Sequence, residues 1–191
     1  MPPRALPGPR ACGAAITAVI SPPLRTLSDQ ATLWAALADG RLDLISTDHV
    51  PDRLAIEKRW VGQPFTEISN GAPGIETLLP TAYGRGVATG RITVERMVDL
   101  LSTTPARLFG LEEKGSLEVG KDADVVLLDP SASRVIRAAD LHHTSDFTPY
   151  EGMEVAGRIR RVMVRGADVV VDGAFTGQRG HGRFVSRFLD S

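Results

Sequence analysis

Asp48 is the position in this chain from which chemistry is argued most directly. It stands in Ser46-Thr47-Asp48-His49-Val50-Pro51, just behind the mostly apolar run Leu42-Asp43-Leu44-Ile45. Such a run reads as a parallel strand buried on both faces. In α/β barrels, catalytic side chains project from the C-terminal ends of strands of this kind. A carboxylate placed there can bind a divalent metal and exchange a proton with a metal-bound water. Taken alone, one Asp after one strand is better read as a helix cap or a surface-loop residue.

Other residues capable of such chemistry are sparse. Histidine occurs at 49, 142, 143 and 181, and no two are spaced as His-x-His. His142 and His143 read as structural or loop residues, because a histidine without partners at ligand spacing is a poor metal candidate. Lys58, Lys114 and Lys121 are the only lysines, each in a polar loop or turn context. Cys12 has no partner for an internal disulfide, which fits a reducing compartment, and it reads as incidental rather than nucleophilic. Asn70-Gly71-Ala72-Pro73-Gly74 precedes a predicted helix and could meet an anion there, but it does not follow the phosphate-loop pattern. Trp34 and Trp60 read as packing residues and Arg25 as the partner of a carboxylate. Arg179, Arg183 and Arg187 read as part of a solvated tail or a subunit contact.

The elements that must position these residues alternate between strand and helix at first. Residues 1–15 are dominated by Pro, Ala, Gly and Arg and read as disordered. Residues 15–20 read as a short buried strand stopped by Pro22-Pro23. Ser28 is expected to cap a helix over 29–38 whose apolar face is Leu33, Trp34 and Leu37, with Gly40 ending it. Residues 42–46 form the strand behind Asp48, and a long polar loop runs to about Pro73. A helix interrupted by Pro80 is expected over 74–87. Thr93 should cap the next, in which Val94, Met97, Val98 and Leu101 recur at helical spacing. Pro105 then opens a further turn over 104–109, closed by Gly110.

Beyond Gly110 the pattern changes to short β runs at 116–119, 123–128, 133–137, 159–165 and 168–171. A boundary is therefore expected near 111–115. It separates an α/β region over 16–111 from a β-rich region over 112–191, which carries an irregular connection from 140 to 156.

Composition narrows the partners. A formal net charge of -1 gives no reason to expect nucleic acid or an anionic membrane. The apolar run at 11–20 behind Arg4 and Arg10 is too short to span a bilayer and makes a poor signal peptide, so a cytoplasmic protein is expected. A complete (β/α)₈ barrel takes about 250 residues. One copy of this 191-residue chain is therefore not expected to close one.

Several motifs occur in a fixed order: SPPLR (21–25), LWAALADG (33–40), STDHVP (46–51), SNGAPGIE (69–76) and TTPARLFGL (103–111). KGSLEVGKDADVVLLDP (114–130), HHTSDFTPYEGMEV (142–155) and GRFVSR (182–187) follow. The combination resembles the C-terminal portion of the dihydropyrimidinase/hydantoinase family of the amidohydrolase superfamily, over nearly everything after residue 17. KGSLEVGKDADVVLLDP alone marks only the wider superfamily. SPPLR, TDH, NG-x-PGIE and TPYEGMEV together are more specific.

The resemblance implies an α/β fold: the last strands and helices of a metal-dependent-hydrolase TIM barrel, followed by a small β-sandwich segment. It implies hydrolysis of cyclic amide C–N bonds at two zinc ions bridged by a carboxylated lysine and a hydroxide. Four histidines and one aspartate complete the ligands. Asp48 matches that aspartate, as catalytic residue and as metal ligand. Ser21 and Asn70 match positions that hold the substrate ring, largely through backbone groups. The substrate would be a small cyclic amide or imide, and family members form homo-oligomers. The histidine ligands and the bridging lysine all match positions upstream of this segment. The chain is accordingly expected to be a truncated form, inactive alone. A non-catalytic interaction module derived from the family and one half of a split enzyme are the alternatives.

Overall fold

The structure, a computed structural model, describes residues 16–59 and 64–188. The expectations for residues 1–15, Cys12 among them, and for Trp60 lie outside the described residues. The chain folds into two compact units of interleaved segments. The first takes the chain up to Leu27 with Thr47–Leu78 and Val135–Met153. The second takes Ser28–Ser46, Leu79–Arg134 and the chain from Glu154 onward.

In the first unit, residues 16–20 do not form the expected strand. Ile16 and Thr17 are helical, the Val19 amide donates to the Ile16 carbonyl at 3.1 Å, and the chain then runs irregularly. Residues 42–46, in the second unit, likewise form no strand. A parallel strand exists only through successive pairing with a neighbour. Among the described residues the partners are scattered: Ile45 bonds to Leu100, and Ser21, just past the first run, bonds to Asn70. The long loop expected after Pro51 is not featureless. It holds an isolated parallel bridge between His49 and Ala72, and a 3₁₀ turn over Phe65–Glu67.

The second unit carries most of the helix. Helix α1 (Leu27–Ala38) begins earlier than expected, so Ser28 lies inside it, its carbonyl accepting from the Thr32 hydroxyl at 3.1 Å. A 3₁₀ turn over Ile75–Thr77 leads into α2 (Leu78–Ala82) and a π turn over Tyr83–Val87. Pro80 falls in the first turn of α2, where its missing N–H costs nothing, so it does not break the helix. Thr93 caps α3 (Val94–Val98) as expected, its hydroxyl accepting from the Arg96 amide at 3.1 Å. A π turn over Asp99–Thr103 carries the chain into α4 (Thr104–Leu108) without a break. Pro105 is thus inside a continuous helix, and the wider turn accommodates the bond that its nitrogen cannot make.

The core of this unit is Leu37, Ala82, Ile92, Met97 and Leu100, with Trp34, Ile45, Leu79, Tyr83, Val87 and Leu101 packed against it. Trp34 is a packing residue, with the Arg91 guanidinium 5.5 Å from its ring. The buried stripe of α3 and its extension is Met97, Leu100 and Thr104, while Val94 and Val98 remain 45% exposed. The i, i+3, i+7 spacing from Met97 leaves the two valines on the flank. Arg96 fastens α1 to this helix by donating to the carbonyls of Leu37 (2.8 Å) and Leu42 (2.7 Å).

The β runs condense into one four-stranded sheet in chain order: β1 (Val125–Val135), β2 (Glu154–Val164), β3 (Ala167–Val171) and β4 (Ala174–Phe175). The runs at 123–128 and 133–137 fuse into β1, and 116–119 forms no strand. The β2–β3 and β3–β4 pairs are antiparallel. They turn on Arg165-Gly166 and Asp172-Gly173, all four residues at positive φ, the geometry of tight two-residue hairpins. No described helix is long and apolar enough to cross a membrane.

Candidate functional site

All three residues singled out from the sequence lie in the first unit, and all three are solvent-exposed. Ser21 and Asn70 meet through their backbones: the Ser21 amide donates to the Asn70 carbonyl at 3.1 Å. Asp48 sits on the segment beside them. Its neighbour His49 bridges to Ala72, and the Val50 amide donates to the Ala72 carbonyl at 3.1 Å. The segments at 21, 48–50 and 70–72 therefore lie side by side. Gly71 makes the approach possible. A Cβ at that position would stand 2.3 Å from the Val50 Cβ, so no larger residue fits without displacing a segment.

Histidines surround this corner without forming a ligand set. The His49 Nδ1 accepts from the amides of Gly74 (3.0 Å) and Ile75 (3.3 Å). That fixes the ring proton on Nε2. It also fills the helix start that the glycine-rich stretch had offered to an anion. Glu76 accepts from the His142 amide at 2.7 Å and lies 2.9 Å from the His142 Nδ1. The His143 ring is 5.8 Å from the His49 ring, and its nitrogens are buried without a hydrogen bond.

The amidohydrolase family profile matches residues 11–169. The chain belongs to the amidohydrolase family. It is 43% identical over 170 residues to a D-phenylhydantoinase of Escherichia coli strain SE11, an alignment covering 88% of this chain and 37% of that protein. The crystal structure of dihydropyrimidinase from Brevibacillus agri NCHU1002 superposes with a TM-score of 0.87 at 41% identity, covering 90% of this chain and 38% of the other. D-hydantoinase (dihydropyrimidinase) from Thermus sp. gives 0.85 at 40%, covering 91% and 38%. L-hydantoinase (dihydropyrimidinase) from Arthrobacter aurescens gives 0.81 at 33%, covering 93% and 40%. The chain thus spans under two-fifths of the length of the curated relatives it matches.

Amidohydrolases are in general metal-dependent. Among the described residues, however, no three His, Cys, Asp or Glu side chains converge in a way that could hold a metal ion. The described residues do not fit a metal by themselves.

What sequence reasoning missed is Lys58. Its position in a turn was legible, but its environment was not. The side chain is fully buried, its ammonium 2.5 Å from the Val19 carbonyl, 2.6 Å from the Ser69 carbonyl and 3.9 Å from the Asp52 carboxylate. Burial lowers its pKa from the ordinary lysine value, and Asp52 opposes that shift. Asp52 is also buried, and its carbonyl accepts from the Ser145 hydroxyl at 2.5 Å. The HHTSDFTPYEGMEV segment is therefore tied to the loop, with the Asp146 carboxylate also accepting from the Leu54 amide at 2.8 Å. Next to Lys58, Glu57 accepts from the amide and guanidinium of Arg53 at 2.8 Å and 3.0 Å. Those bonds hold its carboxyl down to a pKa of about 2. Of the other lysines, Lys114 pairs with Asp122 (2.6 Å) and Asp124 (2.5 Å), and Lys121 donates to the Glu112 carbonyl.

Proposed function

We propose that this chain supplies the C-terminal part of a cyclic-amide hydrolase of the dihydropyrimidinase/hydantoinase type, with Asp48 as its catalytic carboxylate. The observation that carries the reading is the side-by-side placement of residues 21, 48–50 and 70–72, in a chain 43% identical to a D-phenylhydantoinase. A planar ring amide presents one carbonyl acceptor and one N–H donor. A corner built from irregular backbone that is not consumed in a ladder offers the complementary donors and acceptors. The Ser21 amide is engaged with Asn70. A ring held here would therefore meet the Ser21 carbonyl or hydroxyl and the Asn70 amide.

The reaction adds water across the ring C–N bond. The attacking oxygen bonds to the carbonyl carbon, Asp48 takes its proton, and the same proton passes to the ring nitrogen as the C–N bond breaks. In this reading residues 16–111 are the last portion of a TIM barrel, and 112–191 belong to a composite β-rich domain. The ligands for zinc come from the barrel segment upstream of the matched portion. The assembled enzyme is a cytoplasmic homo-oligomer. The test is to co-produce the chain with the upstream barrel segment of a hydantoinase and assay ring opening of dihydrouracil and hydantoin. Turnover that disappears with Asp48→Ala supports the reading. An assembled protein that opens neither ring overturns it.

A further inference from the structure

Lysine is almost never fully buried unless its charge is paired, because removing an ammonium from water is costly. Lys58 is 0% exposed. Its ammonium has three partners: the Val19 carbonyl, the Ser69 carbonyl and the Asp52 carboxylate. The Phe147 ring lies 6.0 Å from the ammonium, and Ser145, two residues before it, holds the Asp52 carbonyl. The two carbonyls are informative by position. Val19 lies two residues before Ser21, and Ser69 lies one residue before Asn70. Neither segment is part of a strand, so no ladder of hydrogen bonds fixes their separation. Alongside the Ser21–Asn70 bond, the ammonium cross-links the two segments.

We propose that Lys58 is a positioning residue that sets the spacing of the Ser21 and Asn70 backbones on which the substrate ring is held. The inference rests on the hydrolase reading above. Lys58 touches no reacting atom. It acts by bridging two carbonyls with charge-assisted bonds, which are shorter and stronger than neutral ones, and the Asp52 carboxylate 3.9 Å away favours its charged form. Loss of the bridge lets the two segments drift apart. That weakens the hold on the ring, while Asp48 keeps its own anchorage through the bonds of the 48–50 segment to Ala72.

The experiment uses the full chain co-produced with an upstream hydantoinase segment. It compares the wild type with Lys58→Met and with the double variant Lys58→Met/Asp52→Asn, which leaves no unpaired buried charge if the single variant fails to fold. Hydrogen exchange of the Ser21 amide is read alongside steady-state kinetics on dihydrouracil. The expected result is a KM raised about tenfold or more with kcat within about threefold, the pattern of lost binding common to ground and transition states. The Ser21 amide is expected to exchange about tenfold faster. A purely structural role would lower kcat and the active fraction together. Turnover with an unchanged KM in the double variant overturns the role of Lys58 alone. No turnover by the wild-type assembly overturns the hydrolase reading and this role with it.

Discussion

The Ser21 amide donates to the Asn70 carbonyl at 3.1 Å, a direct bond between the two positions proposed to hold the substrate ring. The contact is backbone to backbone, so side-chain identity matters little to it. Ser21→Ala in the assembled protein is expected to change KM by less than about threefold. A much larger rise, measured by steady-state kinetics, would show that the Ser21 hydroxyl itself grips the ring.

Gly71 is a stricter requirement. An alanine methyl there would overlap the Val50 side chain, with its Cβ at 2.3 Å and Cγ1 at 2.4 Å. Forcing a methyl into packed space costs about 1–3 kcal/mol. Gly71→Ala should lower the denaturant midpoint of the assembled protein accordingly, and adding Val50→Gly should restore part of it. An unchanged midpoint for Gly71→Ala would mean that the two segments are not packed as described.

Parts of this architecture were legible in the sequence because their determinants are local. Thr93 caps α3 through a bond to Arg96, three residues away. The β runs at 159–165 and 168–171 were legible from their apolar, β-branched character and correspond to parts of β2 and β3. The runs at 15–20 and 42–46 misled because apolar sequence specifies burial, not pairing partners. A strand needs neighbours that these runs do not find among the described residues. The burial of Lys58 was invisible for a related reason: Val19, Asp52 and Ser69 reach it from three separate stretches. No periodicity encodes that convergence. The Ser21–Asn70 bond likewise joins distant stretches; family resemblance named both residues as substrate-holding positions and did not give their contact.

Glu57 offers a test by pH. Its carboxyl sits at about 2 in the folded chain, against an ordinary value of 4.5, through hydrogen bonds from the Arg53 side chain and amide. A carboxylate with a lowered folded pKa stabilises the fold fully above the unfolded value. Its contribution is lost as pH falls through the folded one. The Arg53–Glu57 turn should therefore hold above about pH 4.5 and weaken progressively between 4.5 and 2. An NMR titration should place the Glu57 carboxyl midpoint near 2, moving up toward 4.5 in Arg53→Ala. A midpoint near 4.5 in the wild type would contradict the geometry.

Self-association of the chain alone follows from its surface. Leu117, Val119, Phe175 and Phe184 are 78%, 108%, 67% and 93% exposed, and the formal net charge is only -1. Exposed apolar side chains with little electrostatic repulsion favour contact between copies. Sedimentation velocity of the chain should show oligomers or aggregates that diminish with Leu117→Ser and Phe184→Ser. A single monomeric species across a wide concentration range would refute this.

The catalytic prediction bears most on the proposed function. Binding zinc requires several ligands within bonding distance, since each supplies only part of the affinity. Asp48 is one carboxylate, and among the described residues no second and third ligand converge with any such group. A lone carboxylate does not compete with water for the ion. Without an activated water, an unstrained ring amide is attacked too slowly to detect. The chain alone should therefore carry well under one zinc per molecule by elemental analysis and open neither dihydrouracil nor hydantoin. With an upstream segment supplied, zinc and turnover should appear together. Asp48→Ala should then remove turnover by about a thousandfold or more, on the scale of losing a group that both binds and transfers the proton. Stoichiometric zinc and Asp48-dependent turnover in the isolated chain would mean that it holds a ligand set the described residues do not reveal.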